Sequence, residues 1–101
     1  MDDEARPDPL EVTLEGMQPR VGETFTVIGH EVELTLVEAE PSPQGVEWGF
    51  SLLFEGPENP RLAQNTWALN SRGEELHLFL VPVVTGSTAP AYESVFSQVP
   101  G

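Results

Sequence analysis

Two apolar runs, residues 50–54 and residues 76–84, constrain the fold of this chain more than any other feature. Turn residues bound both of them, with Gly56 and Pro57 after the first run and Arg72 and Gly73 before the second. Within each run the side chains follow a period of two, which is typical of β-strands in a packed core. The runs therefore predict a small β-domain.

Alternation of apolar and polar residues predicts further strands in the segments that flank these runs. In the segment from Val32 to Glu40 the parity changes after Leu36, which predicts a β-bulge near Leu36 and Val37. We predict a mainly β fold, a compact antiparallel barrel or sandwich of about six strands. The strand segments are residues 24–27, 31–40, 47–54, 66–70, 76–84 and 92–96.

The N-terminal region combines a charged tail with a short helical pattern. Residues 1–8 carry four carboxylates and no apolar anchor beyond Met1, so we predict a disordered acidic tail. Asp8 and Pro9 suit a helix start, and Pro19 suits its end. Residues 9–101 are then one β-domain that begins with a short helical segment, since 101 residues suffice for one domain and not two.

Charge and composition exclude several classes of protein. Seventeen carboxylates face four arginines and no lysine, which gives a net charge of -13. Such a surface repels nucleic-acid phosphates and anionic membranes, so we predict neither as a partner. No cysteine is present, which excludes disulfides and thiolate metal sites. The chain contains neither a secretory leader pattern nor a long apolar stretch, and we predict a soluble cytoplasmic protein.

The inventory of catalytic groups is small. His30 lies in a predicted turn and His77 on a predicted strand, and no nucleophile motif or glycine-rich phosphate loop accompanies them. We therefore predict a protein that is not an enzyme and carries no cofactor or metal. A metal-dependent hydrolase that uses His30 and His77 is a minor alternative.

The second apolar run carries the candidate binding residues. Leu76, Leu78, Leu80 and Val84 point to one side of the strand, and the opposite side is apolar too. A strand with two apolar sides is either central in a sheet or in contact with another molecule. We predict a protein-interaction face there, for a protein partner or for self-association. The residues of that face are His77, Phe79, Val81 and Val83.

Two other features bear on binding. The alternative function is a small-ligand-binding β-barrel whose mouth is lined by Trp48 or Trp67, since aromatic side chains on a β-face bind ligands. In the loop of residues 56–61, two prolines reduce the chain's freedom and could present Arg61 rigidly.

Five motifs follow one another in order and carry a resemblance to a known family. They are VGETF at 21–25, VELTLVE at 32–38, FSLLFEGP at 50–57, LFLVPV at 78–83 and YESVF at 92–96. This order resembles a small bacterial family of unknown function, loosely associated with phage-tail-collar-like proteins, over roughly residues 12–97.

The chain departs from that family pattern at two places. Trp67 and its neighbours stand where the pattern tends towards tyrosine, and Asn70 and Ser71 stand where a cationic residue or histidine is usual. The resemblance implies no catalytic residues. It implies a structural accessory or interaction module linked to a tail-like or fibre-like assembly.

Overall fold

The computed structural model describes residues 12–41 and 49–97. They form a closed antiparallel barrel of six strands, preceded by a short helical segment, which confirms the predicted fold class. The segment consists of α1 (Leu14–Met17) and a 3-10 turn (Gln18–Arg20). The strands are β1 (Thr24–Val27), β2 (Glu33–Pro41), β3 (Gly49–Glu55), β4 (Asn65–Ser71), β5 (Glu74–Val83) and β6 (Ala91–Ser97).

The strand order around the barrel is β1-β2-β3-β6-β5-β4, and β4 returns to β1. The closing junction is short: β1 and β4 are paired at Thr26 with Asn70 and at Val27 with Leu69. Strand β5 divides its length between two neighbours, since residues 74–80 pair with β4 and residues 81–83 pair with β6. Every strand therefore has a neighbour on both sides over part of its length, and the sheet has no free terminal strand.

Strand β2 contains the predicted bulge. Its register against β3 shifts between Leu36 and Glu38, so Val37 is an extra residue on the bulged strand. Leu34 and Leu36 before the shift and Ala39 after it are all buried. The buried residues thus change from even to odd positions at Val37, and the bulge keeps all of them on the core side of β2.

The barrel interior is filled by the side chains whose alternation predicted the strands. Phe25 and Phe54 meet edge to face with ring centroids 5.7 Å apart. Full burial of a leucine or phenylalanine side chain contributes roughly 1.5–3 kcal/mol, so this cluster is the main source of stability. The core residues are Met17, Phe25, Val27, Val32, Leu34, Leu36, Ala39, Phe50, Leu52, Phe54, Leu62, Leu69, Leu76, Leu78, Leu80 and Tyr92.

Within the described residues, the helical segment begins at Leu14. Thr13 is extended (φ -129°, ψ 157°), and its hydroxyl accepts a hydrogen bond from the amide of Gly16 at 3.0 Å, so Thr13 is the N-cap. Pro19 does not end the segment but lies inside the 3-10 turn. The predicted start at residues 8–9 and the predicted tail over residues 1–8 lie outside the described residues.

The end of β5 also differs from the prediction. Val84, expected to point to the core, lies beyond the last residue of β5 and is fully exposed. Pro82 lies opposite Tyr92, where β5 pairs with β6 and no longer with β4. A residue without an amide hydrogen fits a position with a partner on only one side.

A two-residue hairpin joins β4 to β5 at Arg72 and Gly73, the turn residues that precede the second apolar run. Arg72 (φ 56°) and Gly73 (φ 79°) both have positive φ, between the paired residues Ser71 and Glu74. Two consecutive positive φ angles are the signature of a type I′ turn, whose twist matches that of the flanking strands.

Within the described residues, no helix has the length and apolar character needed to cross a membrane.

Five polar residues, here called the Glu23 cluster, join the helical segment to this hairpin. Arg20 contacts Glu23 through two nitrogens, at 3.1 Å and 2.6 Å, and its third nitrogen lies 3.0 Å from Glu74. The hydroxyl of Ser71 donates to the same Glu23 carboxylate, and Arg72 lies 3.6 Å from it. The Glu23 side chain is only 9% exposed, so these partners replace the water it loses.

Gly56 sits where the chain leaves β3 and crosses the barrel rim. Its amide donates to the carbonyl of Pro90 at 3.0 Å. A Cβ atom at this position would lie 2.6 Å from Cδ2 of Leu34, a side chain with no exposed surface. Because Leu34 is enclosed by the core, its methyl group cannot move away without disturbing its neighbours.

We expect Gly56→Ala to destabilise the fold by about 1–3 kcal/mol, the usual cost of overpacking a filled core. Gly86→Ala is the matched control, since no atom lies within 4 Å of a Cβ built there. It should change the unfolding free energy by less than about 0.5 kcal/mol. Urea unfolding of the three proteins measures both effects, and equal stability of the two variants would contradict the packing argument.

We also expect stability to decline at acid pH because of Glu23. The paired Arg20 and the Ser71 hydroxyl lower the pKa of this carboxyl from 4.5 to about 2, against an opposing effect of burial. A folded-state pKa below the unfolded value means that the stabilisation is complete above pH 4.5 and disappears as the pH falls towards 2.

Urea unfolding at a series of pH values tests this linkage. Glu23→Gln should lower the unfolding free energy at pH 7 by on the order of 2 kcal/mol, because Arg20 loses the closer of its two carboxylate partners. The unfolding free energy of this variant should also fall less steeply as the pH is lowered. One carboxyl contributes at most about 1.4 kcal/mol per pH unit to that fall. Glu31→Gln, at an exposed position, should leave the decline unchanged. An acid decline as steep in Glu23→Gln as in the wild type would rule out this linkage.

Candidate functional site

The predicted interaction face lies on the outside of the barrel along β5. Phe79 is 50% exposed, His77 is exposed, and Val81 and Val83 are half-buried. The buried residues Leu76, Leu78 and Leu80 alternate with them and fill the interior. The apolar character of this outer side is therefore not explained by packing within the described residues.

Strand β6 extends that apolar surface with a residue the sequence analysis did not select. Val81 of β5 pairs with Glu93 of β6. Phe79 lies two residues from Val81 and Val95 two residues from Glu93, in the same direction along the barrel, so all four side chains point outward. Val95 is 66% exposed. We call Phe79, Val81, Val83 and Val95 the apolar strip. In the motif YESVF, strand alternation places the Val95 side chain on the opposite side of β6 from Tyr92 and Phe96. This alternation could have identified Val95 as an outward residue from the sequence.

Of the two tryptophans predicted to line a ligand site, only Trp67 lies in the described residues. Trp48 lies outside the described residues. Trp67 is half-buried at the barrel rim, where its indole N–H donates to the carbonyl of Ala63 at 2.9 Å. Its ring meets the imidazole of His30 edge to face at 5.3 Å. Among the described residues, only Trp67 therefore supports the alternative function, a small-ligand-binding β-barrel. The Trp67 side chain packs against the core.

The two histidines have separate surroundings. His30 lies in the turn between β1 and β2 against Trp67, and His77 lies on the outer side of β5, hydrogen-bonded to Glu75. Residues 12–41 and 49–97 contain no group of three histidine or acidic side chains placed to hold a metal ion. The geometry of the described residues thus provides no support for joining His30 and His77 in one metal centre.

An open acidic groove of about 860 Å³ lies on the outside of β1 and β2. Outward threonines of both strands form its floor, and the segment from Glu55 to Pro57 forms one wall. Glu31 and Glu33, which alternate with the buried residues Val32 and Leu34, are exposed and belong to its lining. The groove is therefore an open surface whose acidic residues face solvent.

A smaller cleft of about 180 Å³ opens at the barrel end away from the Glu23 cluster. One wall is the end of the loop at Arg61 and Leu62, and the opposite wall is the end of β5 with the start of β6. The hydroxyl of Tyr92, a residue only 2% exposed, accepts the amide hydrogen of Leu62 at 2.9 Å. The residues that line the cleft are Arg61, Leu62, Pro82, Val83, Pro90, Ala91 and Tyr92.

Residues 12–96 match the model of a family described as a domain of unknown function, DUF6916. The chain belongs to this family. Neither a curated protein nor a solved structure gives a significant match to it. The family carries no described activity, so the function has to be argued from the geometry of its surface.

The hydrogen bond between Tyr92 and Leu62 should hold the loop against the barrel. Tyr92→Phe removes the only acceptor that the described residues offer to the buried Leu62 amide, so we expect a loss of about 1–3 kcal/mol. Amide hydrogen exchange locates the effect: the Leu62 amide should lose protection, while the Ile28 amide, bonded to the Ala68 carbonyl in another part of the barrel, should keep its relative protection. Unchanged exchange at Leu62 would show that the bond does not hold the loop.

Proposed function

We propose that this protein is a non-catalytic interaction module that binds a protein partner through the apolar strip. The observation that supports the proposal is the joint exposure of Phe79 (50%) and Val95 (66%) on neighbouring strands. Exposed apolar patches flanked by polar residues are typical of protein-binding surfaces. Phenylalanine is also among the residues enriched in the cores of such interfaces.

The strip is supported by a rigid part of the fold. Phe79 lies between Leu78 and Leu80, whose side chains are buried in the core. Its backbone pairs with Thr66 of β4. A side chain on a supported strand loses little further conformational freedom when it binds, and this lowers the entropic cost of association.

Charge favours a different protein as the partner over a second copy of this chain. Two copies would each carry a net charge of -13, and like charges disfavour association. Glu93 lies beside Val81 at the border of the strip. A partner with an apolar patch bordered by lysine or arginine residues complements both features. The resemblance to tail-associated proteins implies that such a partner is a subunit of a tail-like or fibre-like assembly.

The strip can be tested with a variant that removes its apolar character. We expect the double variant Phe79→Thr, Val95→Thr to keep its fold, because both side chains are at least half exposed. It should bind the partner at least tenfold more weakly, which corresponds to a loss of about 1.4 kcal/mol. The measurement is capture from host lysate by immobilised protein, followed by identification and titration of whatever the wild type retains.

Val21→Thr is the matched control, because Val21 is exposed to a similar extent (47%) and lies before β1. The control should retain the same partner as the wild type. Equal capture by all three proteins, or no partner retained by the wild type, would refute the proposed function.

A further inference from the structure

The cleft beside Tyr92 combines an apolar lining with two hydrogen-bond donors. Leu62, Val83, Ala91, Pro82 and Pro90 supply apolar surface. A volume of about 180 Å³ is comparable to that of a cavity of about 150 Å³ that holds one benzene molecule, so it suits one aliphatic side chain and little more. The cleft therefore has the size of a single-residue pocket.

The first donor is the hydroxyl group of Tyr92. Its oxygen accepts the Leu62 amide hydrogen, and its own proton meets no acceptor among residues 12–41 and 49–97. A buried O–H group without an acceptor loses the hydrogen bond that water would supply. A ligand oxygen in the cleft would restore that bond.

The second donor is the guanidinium group of Arg61. The other described arginines, Arg20 and Arg72, contact carboxylates of the Glu23 cluster. Arg61 lines the cleft, is exposed, and has no carboxylate within 4 Å among the described residues. Arg61 and Tyr92 both line the cleft, and a guanidinium together with a hydroxyl group is suited to a carboxylate, which accepts from both.

We propose that this cleft binds the C-terminal residue of a partner polypeptide, with its apolar side chain in the cleft and its carboxylate between Arg61 and Tyr92. The position of the cleft supports a peptide ligand, because Val83 belongs both to the cleft and to the apolar strip. A partner segment that lies along the outer side of β5 therefore reaches the cleft, and its last residue can enter it. This inference rests on the proposed function and adds the chemistry of the partner's last residue.

The net charge of the chain sets the conditions under which such binding is measurable. A protein of charge -13 repels an anion at long range, whereas Arg61 attracts it at short range. At 0.15 M salt the screening length is about 8 Å, so the distant carboxylates are largely screened while the direct contact remains. Affinity for the free carboxylate should therefore be higher at 0.15 M salt than at 0.01 M.

The test uses the full chain and an N-acetylated four-residue peptide that ends in leucine. Binding is followed by the NMR shifts of the Leu62 and Ala91 amides in 0.15 M salt. The peptide with a free C-terminus should shift these amides and bind at least tenfold more tightly than its C-terminal amide. Equal affinity for both forms, or shifts confined to other parts of the barrel, would overturn the proposal.

Two exposed arginines provide a matched pair of variants. Arg61→Gln should weaken binding of the free peptide at least tenfold and abolish its advantage over the amidated form. Arg72→Gln makes the same change of charge at the opposite end of the barrel, where the side chain is 76% exposed, and should bind like the wild type. Loss of binding in both variants, or in neither, would contradict a direct contact with Arg61.

A further arm separates a peptide from a free acid with the same chemistry. 4-Methylpentanoate carries the carboxylate and the branched side chain without a peptide backbone, and it should bind more weakly than the peptide. Tighter binding of the free acid would overturn the peptide assignment.

The strip variant Phe79→Thr, Val95→Thr should still bind the short peptide. If the wild type retains a strip-dependent partner but ignores the peptide, the inference about the cleft fails and the proposed function stands.

Discussion

Closure of the barrel at the junction between β1 and β4 is the constraint on which the rest of the structure depends. A sheet becomes a barrel only when its two terminal strands meet, and here they meet over two residue pairs. The Glu23 cluster adds side-chain contacts beside this short junction, because Glu23 precedes β1 and contacts Ser71 at the end of β4. The Glu23 carboxylate therefore adds stabilising contacts beside the junction that has the fewest backbone pairs.

The same closure determines what the outside of the barrel can do. Because the interior is filled by leucine and phenylalanine side chains, large apolar residues on the outer side have no partner within the described barrel. Phe79 and Val95 are two such residues, and the cleft at Tyr92 begins where their surface ends. Core packing and the proposed binding surface thus use alternate residues of the same strands, so the proposed surface requires no change in the core.

Local patterns predicted the features that depend on neighbouring residues. Alternation located the strands, the pair Arg72 and Gly73 located the hairpin, and the parity change after Leu36 located the bulge. Each of these depends on a few consecutive residues and on the period of two. The prediction for Val84 failed for the complementary reason: alternation continues in the sequence after the strand has ended, since Val84 no longer has a neighbouring strand.

The contacts that position the candidate sites could not be predicted in the same way. Ser71 and Glu23 are 48 residues apart, and Tyr92 and Leu62 are 30 apart, so no local spacing signals either contact. The final strand nevertheless contained a clue to the second one. Its alternation places the Tyr92 ring inside the barrel, and a buried tyrosine hydroxyl needs a hydrogen-bond partner from somewhere in the chain. Which partner it finds depends on the path of the loop that ends at Leu62.

Val37 shows that a residue can matter for the length it adds to the chain and not for its side chain. Without it, the sequence of β2 would alternate regularly from Glu33 to Glu40, and the strand would lose its irregularity against β3. A regular strand is straighter than a bulged one, whereas a narrow barrel needs strands that bend. The more perfect pattern would therefore suit a flat, open sheet better than this barrel. In this family member, one surplus residue is part of what makes the sheet able to curl.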